Sequence, residues 1–257
     1  MQGEPQAFER VNASASPHLI FVCDHAARAL PAGYGTLGLR ESLFDTHIAS
    51  DIGAADVTRV LAAAFDAPAL LGVYSRLLID LNRGFDDPTL VMKLSDGAII
   101  PGNAKVDAAE IDNRIVRYYR PYHDAIEAEI ERAKSLDITP TLISVHSFTP
   151  EWRGRRRPWQ IGVLWSRSDG RLALPLLEAL NREPDLIVGD NQPYTGELEN
   201  DCMSQHAVAR GLPHVLLEIR QDLIADRTGA VFWAERLVPI LRNALAQLDS
   251  RARARTP

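Results

Sequence analysis

Two histidines, a glutamate and an Asn-Arg pair stand out in this sequence because each is carried by an apolar stretch. His146 closes the run TLISVH at 141–146, which Pro140 and Pro150 bound. His25 follows LIFVCD at 19–24, and Glu218 lies inside VLLEIR at 215–220. Arg76, Asn82 and Arg83 are carried by YSRLLIDLNR at 74–83. Short apolar, partly β-branched runs between turn formers read as buried strands. In an open α/β sheet, chemistry gathers at the carboxyl ends of strands. Neutral imidazole is the commonest protein ligand of zinc, and a catalytic zinc keeps three protein ligands and one open position. Two histidines from different strands therefore suit a metal site, although each alone equally suits a buried histidine with a hydrogen-bonded partner.

The residues leave the third ligand open. Asp24 is adjacent to His25, but in a strand it points to the opposite face. Asp45, His47 and Asp51 follow on a segment that can return to the site, and His47 with Asp51 also reads as an ordinary i, i+4 pair on one helical face. Glu218, between Leu217 and Ile219, is costly to bury unless it is paired or employed. Employed, it suits a general base that takes a proton from water and passes it to a leaving nitrogen. Paired, its nearest partner in sequence is Arg220. Arg83 suits a bidentate grip on a carboxylate, with Asn82 adding donors. Arg76 suits polarising a scissile carbonyl.

These groups must be positioned by a frame, and the bulk numbers bound it. A chain of 257 residues, 46% hydrophobic and 24% charged, fits one α/β domain over 1–257 whose core needs no disulfides. A net charge of −6 argues against nucleic acid as a partner. Cys23 and Cys202 form no C-x-x-C pattern. The first residues do not read as a signal peptide and no apolar run is long enough to span a bilayer, so a cytoplasmic protein without a membrane partner is expected.

Along the chain, residues 1–16 read as a surface arm and 18–23 as the first strand. Residues 40–65 carry helical spacing with a break expected at Gly53, and 73–81 read as a strand. Turn signals make 83–102 irregular. A helix over 107–136 should kink at Pro121. Strands over 159–165, 186–189 and 215–220 alternate with helices over 172–181, 204–210 and 231–248, Gly211 stopping the second of these. Residues 249–257 read as a flexible tail. The alternation predicts an α/β class with a mixed, mostly parallel sheet flanked by helices.

Taken together, several motifs resemble the N-formylglutamate amidohydrolase family over roughly 18–225. They are CDHA at 23–26 with Pro31 downstream, HIASDIGA at 47–54, YSRLLIDLNR at 74–83, RPYH at 120–123, HSFTP at 146–150, DNQPY at 190–194 and LEIRQD at 217–222. That family is similar in fold to the zinc carboxypeptidase and aspartoacylase group. The resemblance implies a zinc-exopeptidase-like fold, one zinc per chain, and hydrolysis of an N-acyl amino acid such as N-formylglutamate. It implies His25 and His146 as metal ligands, Glu218 as base, Asn82 and Arg83 as the carboxylate clamp, and Arg76 as the carbonyl arginine. One position departs: the group's acidic ligand comes three residues after the first histidine, where this chain has Arg28. Asp51 then stands first as the third ligand and His47 second. Two rival readings remain. A peptidase or amidase for a larger substrate calls for a wide cleft, and a binding protein without metal draws support from Arg28. The arginines at 153–157 read as a solvated turn or as an attractor of an anionic side chain.

Overall fold

The apolar runs become the middle of one seven-stranded sheet. The computed structural model describes residues 6–253. Its sheet strands are β1 (Phe8–Val11), β2 (Leu19–Cys23), β3 (Ala69–Gly72), β4 (Thr141–Phe148), β5 (Ile161–Leu164), β6 (Val188–Asp190) and β7 (His214–Arg220). The order across the sheet is β1-β3-β2-β4-β7-β5-β6. β3, β2, β4 and β7 are parallel, β1 adds antiparallel at one edge, and β5 pairs antiparallel with β7 and parallel with β6. Strands covered on both faces have no polar side to show, so β2, β4 and β7 are buried at every residue.

The helices that do the covering are α1 (Ala54–Phe65), α2 (Ala108–Arg114), α3 (Arg120–Ser135), α4 (Ala173–Asn181), α5 (Cys202–His206) and α6 (Arg227–Arg253). Alternate strand residues serve the two faces. Phe21, Ile143 and Leu217 pack with Leu61 of α1, Leu176 of α4 and Leu237 of α6. Ile20, Leu142 and Leu216 pack with Ile126 and Ile130 of α3 and Met203 of α5. The mixed, mostly parallel α/β architecture is the expected one. No helix of the described residues is long and apolar enough to cross a membrane.

Several local expectations change. Within the expected arm, Phe8–Val11 forms the edge strand β1, while residues 1–5 lie outside the described residues. The expected helix over 40–65 reduces to a 3-10 turn at Glu41–Asp45, a loop, and α1. Gly53 enforces this. Its φ is 80°, and a Cβ there would stand 2.0 Å from the Ile224 carbonyl oxygen. His47 and Asp51 therefore share no helical face. The expected strand over 73–81 is also absent, because the ladder stops at Gly72. The chain then turns about Ser75, whose hydroxyl donates to the Ala49 carbonyl and accepts the Leu77 N–H. Most of residues 73–81 are apolar and buried all the same, which is why their pattern mimics a strand. In place of a kink at Pro121, a π segment at Ile115–Tyr119 joins α2 to α3, with the Arg120 N–H reaching the Ile115 carbonyl. Pro121 follows directly and needs no donor there. α6 continues through Arg253, so the expected tail is helical to that residue, and 254–257 lie outside the described residues.

Candidate active site

β2, β4 and β7 form the centre of the sheet, and their polar residues meet at one place. β4 runs past His146 to Phe148, so His146 sits inside the strand rather than at its end. Glu218 is its direct neighbour in the β4–β7 register. His25 lies just beyond the end of β2. The Asp51 N–H donates to the His25 carbonyl at 3.0 Å, which folds the loop before α1 back over the strand ends.

The result is a close triad. His146 Nδ1 is 2.8 Å and His25 Nδ1 3.4 Å from the same Asp51 oxygen, Oδ2. One ligand atom from each of the three lies within 4.8 Å of the others, and all three residues are buried. Asp24 and Asp80, outside the sequence-predicted site, hold the far ring nitrogens. His146 Nε2 is 2.9 Å from Asp24 Oδ2, and His25 Nε2 is 2.7 Å from Asp80 Oδ1. Imidazoles that donate Nε2–H to carboxylates turn their Nδ1 lone pairs inward, as histidine ligands of a metal do. Arg76 donates to Asp80 from Nε at 3.1 Å and Nη2 at 2.8 Å, and its Nη1 is 3.4 Å from Asp51 Oδ1.

Charge balance tests whether this set fits a cation. Asp24, Asp51 and Asp80 are three buried carboxylates, and Arg76 is the one guanidinium among these side chains. Burial opposes ionisation of all three aspartates. The histidines, and Arg76 beside Asp80, nevertheless hold them below the usual carboxylate range, Asp24 at about 2. Burial likewise opposes charge on His146, but the hydrogen bonds to Asp24 and Asp51 raise its pKa well above the ordinary imidazole value. The cluster thus calls for two further positive charges, which imidazole protons or one divalent cation can supply. Two inward imidazole nitrogens and a carboxylate oxygen fit zinc.

Glu218 faces the same cavity. Its Oε2 is buried without a hydrogen-bond partner. Burial chiefly, with His146 opposing and Asp51 adding, pushes its carboxyl up to about 8. Asn82, Arg83, His47, Tyr194 and Asp201 also line this cavity, whose volume is about 360 Å³. Arg83 donates to its neighbour's carbonyl, Asn82 O, at 2.7 Å and to Thr89 Oγ1 at 3.2 Å. Asn82 Oδ1 accepts the Cys202 N–H at 3.0 Å, which fixes the amide against the start of α5.

The other expectations separate cleanly. Arg28 is exposed and paired with Asp45, so neither reaches the triad. His47 lines the cavity but faces Asp96, at 3.5 Å, instead of joining the triad. Arg155 and Arg156 lie on an exposed two-stranded hairpin, with Arg153 at its turn, as a solvated turn would. Arg157 is instead buried and donates to Tyr194 at 3.2 Å. Asp201 was not anticipated. It caps α5, and its only sequence signal is that of a helix start. Asp80 carried the same signal as Glu218, an acid inside an apolar run.

The profile described as N-formylglutamate amidohydrolase matches residues 17–225. A crystal structure of a gene product from Agrobacterium tumefaciens is 34% identical, with a TM-score of 0.91 over 95% of this chain and 97% of that one. An N-formylglutamate amidohydrolase from Ralstonia eutropha JMP134 is 23% identical, with a TM-score of 0.71 over 96% of this chain and 100% of that one, a likeness of fold. No curated relative matches the sequence. A family match that spans most of the chain, and that takes in every residue of the triad, decides the affiliation: the chain belongs to the N-formylglutamate amidohydrolase family.

Proposed function

We propose that the protein hydrolyses the amide bond of an N-acyl amino acid in this cleft, with N-formyl amino acids such as N-formylglutamate as the substrate class, and that one zinc ion is held by His25, Asp51 and His146. The observation that carries the reading is the convergence of His25 Nδ1, Asp51 Oδ2 and His146 Nδ1 beside an unpartnered Glu218 carboxyl. An ion in that position supplies Lewis acidity toward the carbonyl and lowers the pKa of water.

The chain's own groups do the rest. Glu218 accepts a proton from the attacking water at its unpartnered oxygen and returns it to the amide nitrogen as the C–N bond breaks. A carboxyl raised to about 8 is a weak acid whose ionisation a nearby cation favours. Arg76, anchored through two nitrogens on Asp80, keeps a fixed positive charge next to the cleft, where negative charge develops on the carbonyl oxygen. Arg83 and Asn82 grip the substrate carboxylate, orienting the amide toward Glu218. A cavity of about 360 Å³ suits a small N-acyl amino acid better than a polymer fragment. On this reading Asp51 supplies the acidic ligand that position 28 lacks, which speaks against a metal-free binding protein.

The test is hydrolysis of a panel of N-formyl and N-acetyl amino acids, read as free amine, together with zinc content. Wild-type protein is expected to hydrolyse N-formyl substrates in a chelator-sensitive way. His146→Ala and Asp51→Asn are each expected to hold one zinc fewer per chain and to lose turnover. Turnover that survives both variants, or wild-type zinc content in both, overturns the reading.

A further inference from the structure

Behind the cleft, a second set of ligand atoms comes together that the proposed reaction does not use. His123 lies in the first turn of α3, and Cys202 and His206 are the first and last residues of α5. One ligand atom of each lies within 4.8 Å of the others, and all three residues are buried. The two imidazoles are nearly parallel, 18° between planes, and meet through His123 Nδ1 and His206 Nε2 at 2.7 Å.

The hydrogen bonds fix the tautomers. His123 Nε2–H donates to the Leu81 carbonyl at 2.9 Å, so Nδ1 carries a lone pair. His206 Nε2–H must then donate to it. That leaves His206 Nδ1 a bare acceptor, and it is buried with no partner. Burial keeps both rings neutral, at about 4 for His123 and about 3 for His206, where His123 adds to the effect. Burial and the neighbouring Asp24 carboxylate raise the Cys202 thiol well above its ordinary pKa, so a thiolate there needs a cation beside it. Neutral imidazoles, one of them steered by a backbone carbonyl, and a thiol are the donors of a borderline-soft metal site.

We propose that His123 Nδ1, Cys202 Sγ and His206 Nε2 form a second metal site, which takes zinc and ties α3 to α5. Binding displaces two protons. The thiol proton leaves to solvent, as coordinated thiols are deprotonated. The His206 proton moves from Nε2 to Nδ1. His206 borders a cavity of about 430 Å³ that Gln205 and Tyr119 also line; Nδ1 itself is buried, so the ring must turn toward that cavity for water to accept from it. The two nitrogens separate to roughly 3.3 Å, the spacing set by Zn–N bonds of about 2.0 Å in tetrahedral geometry.

Cobalt(II) tests this directly, because a thiolate ligand gives a sulfur-to-cobalt charge-transfer band in the near ultraviolet and a histidine–carboxylate site gives none. Chelator-treated full-length protein is titrated with cobalt chloride. The expected result is a charge-transfer band equivalent to one thiolate-bound ion per chain. It should be absent in Cys202→Ser and retained in Cys23→Ser and Asp51→Asn. Zinc content should be one ion lower in Cys202→Ser, and added zinc should raise the melting temperature of the wild type more than that of the variant. Folded wild-type protein that shows no band, or a band that survives in Cys202→Ser, overturns the site. Retention in Asp51→Asn separates this outcome from the fate of the proposed hydrolysis.

Discussion

Asp201→Asn is expected to make the folded protein more stable at neutral pH, and to do so only there. One Asp201 oxygen accepts the Ser204 N–H at 2.7 Å, and the residue is 6% exposed. Burial, with the Ser204 hydrogen bond opposing, pushes its carboxyl up to about 6. In the unfolded chain an aspartate titrates near 3.9. Below both values the group is protonated in both states and contributes nothing. As pH rises from about 4 to about 6, the unfolded chain ionises first and the folded state loses stability; above about 6 the loss is complete. The gap between the two values amounts to about 3 kcal/mol. Asparagine keeps the size and the cap, and carries no charge. The stability difference, variant over wild type, should therefore be near zero at about pH 4 and approach about 3 kcal/mol by about pH 7. Urea unfolding of chelator-treated protein across that range measures it, provided the slope against urea is unchanged. A difference that does not vary with pH, or a variant less stable at neutral pH, refutes the assignment of a raised pKa to Asp201. Because Asp201 lines the cavity, a confirmed gain would mean that the chain tolerates a destabilising charge at its candidate site.

Three further substitutions address the proposed chemistry. Glu218→Gln should lower kcat by about 10²- to 10⁴-fold while zinc content stays at the wild-type level, since it removes a proton acceptor and no ligand; unchanged kcat would remove Glu218 from the reaction. Asp24→Asn should weaken zinc binding at the His25–Asp51–His146 site by about 10- to 100-fold in competition with a chromophoric chelator, because it disturbs the partner of His146 Nε2. An unaltered affinity would mean that Asp24 does not orient that ring. Arg83→Ala should raise KM for N-acyl amino acids by roughly 10- to 100-fold, the worth of a charged hydrogen-bonded contact, with kcat changed much less. A fall in kcat at unchanged KM would place Arg83 at the reacting bond instead.

Which of these groups the sequence reveals follows from how each is held. His146 and Glu218 lie within strands, and a polar residue inside a buried apolar run is conspicuous because burial demands a reason for it. Their mutual position needs only the sheet register, which parallel pairing supplies. Arg76, Asn82 and Arg83 are carried by an apolar run as well, but the run does not follow the strand path that its pattern suggests. Residues 73–81 are mostly apolar because most of them are buried, yet the ladder ends at Gly72 and hydrogen bonds of the Ser75 hydroxyl set the turn. Asp80 lies in this run with no further sequence signal. Its role depends on that turn, which brings it to His25 Nε2 with one oxygen and to Arg76 with the other.

The proposed third ligand, Asp51, shows most plainly where spacing stops being informative. A local motif places the acid three residues after His25, and this chain has an exposed arginine there, paired with Asp45. The carboxylate arrives instead from position 51, carried by a loop that is held at one end by the Asp51 N–H on the His25 carbonyl and at the other by Gly53. Gly53 passes within reach of the Ile224 carbonyl, where any side chain would collide, so α1 starts immediately after it and the loop length is set. Neither restraint has a periodic signature. What the site holds without an acid at position 28 is charge: the two imidazoles rest their far nitrogens on Asp24 and Asp80, and the buried Asp51 carboxylate stands between them. On the proposed reading, a carboxylate delivered by the loop before α1 serves a divalent cation as well as one in the motif would, because the electrostatics depend on where the charge sits and not on its place in the sequence.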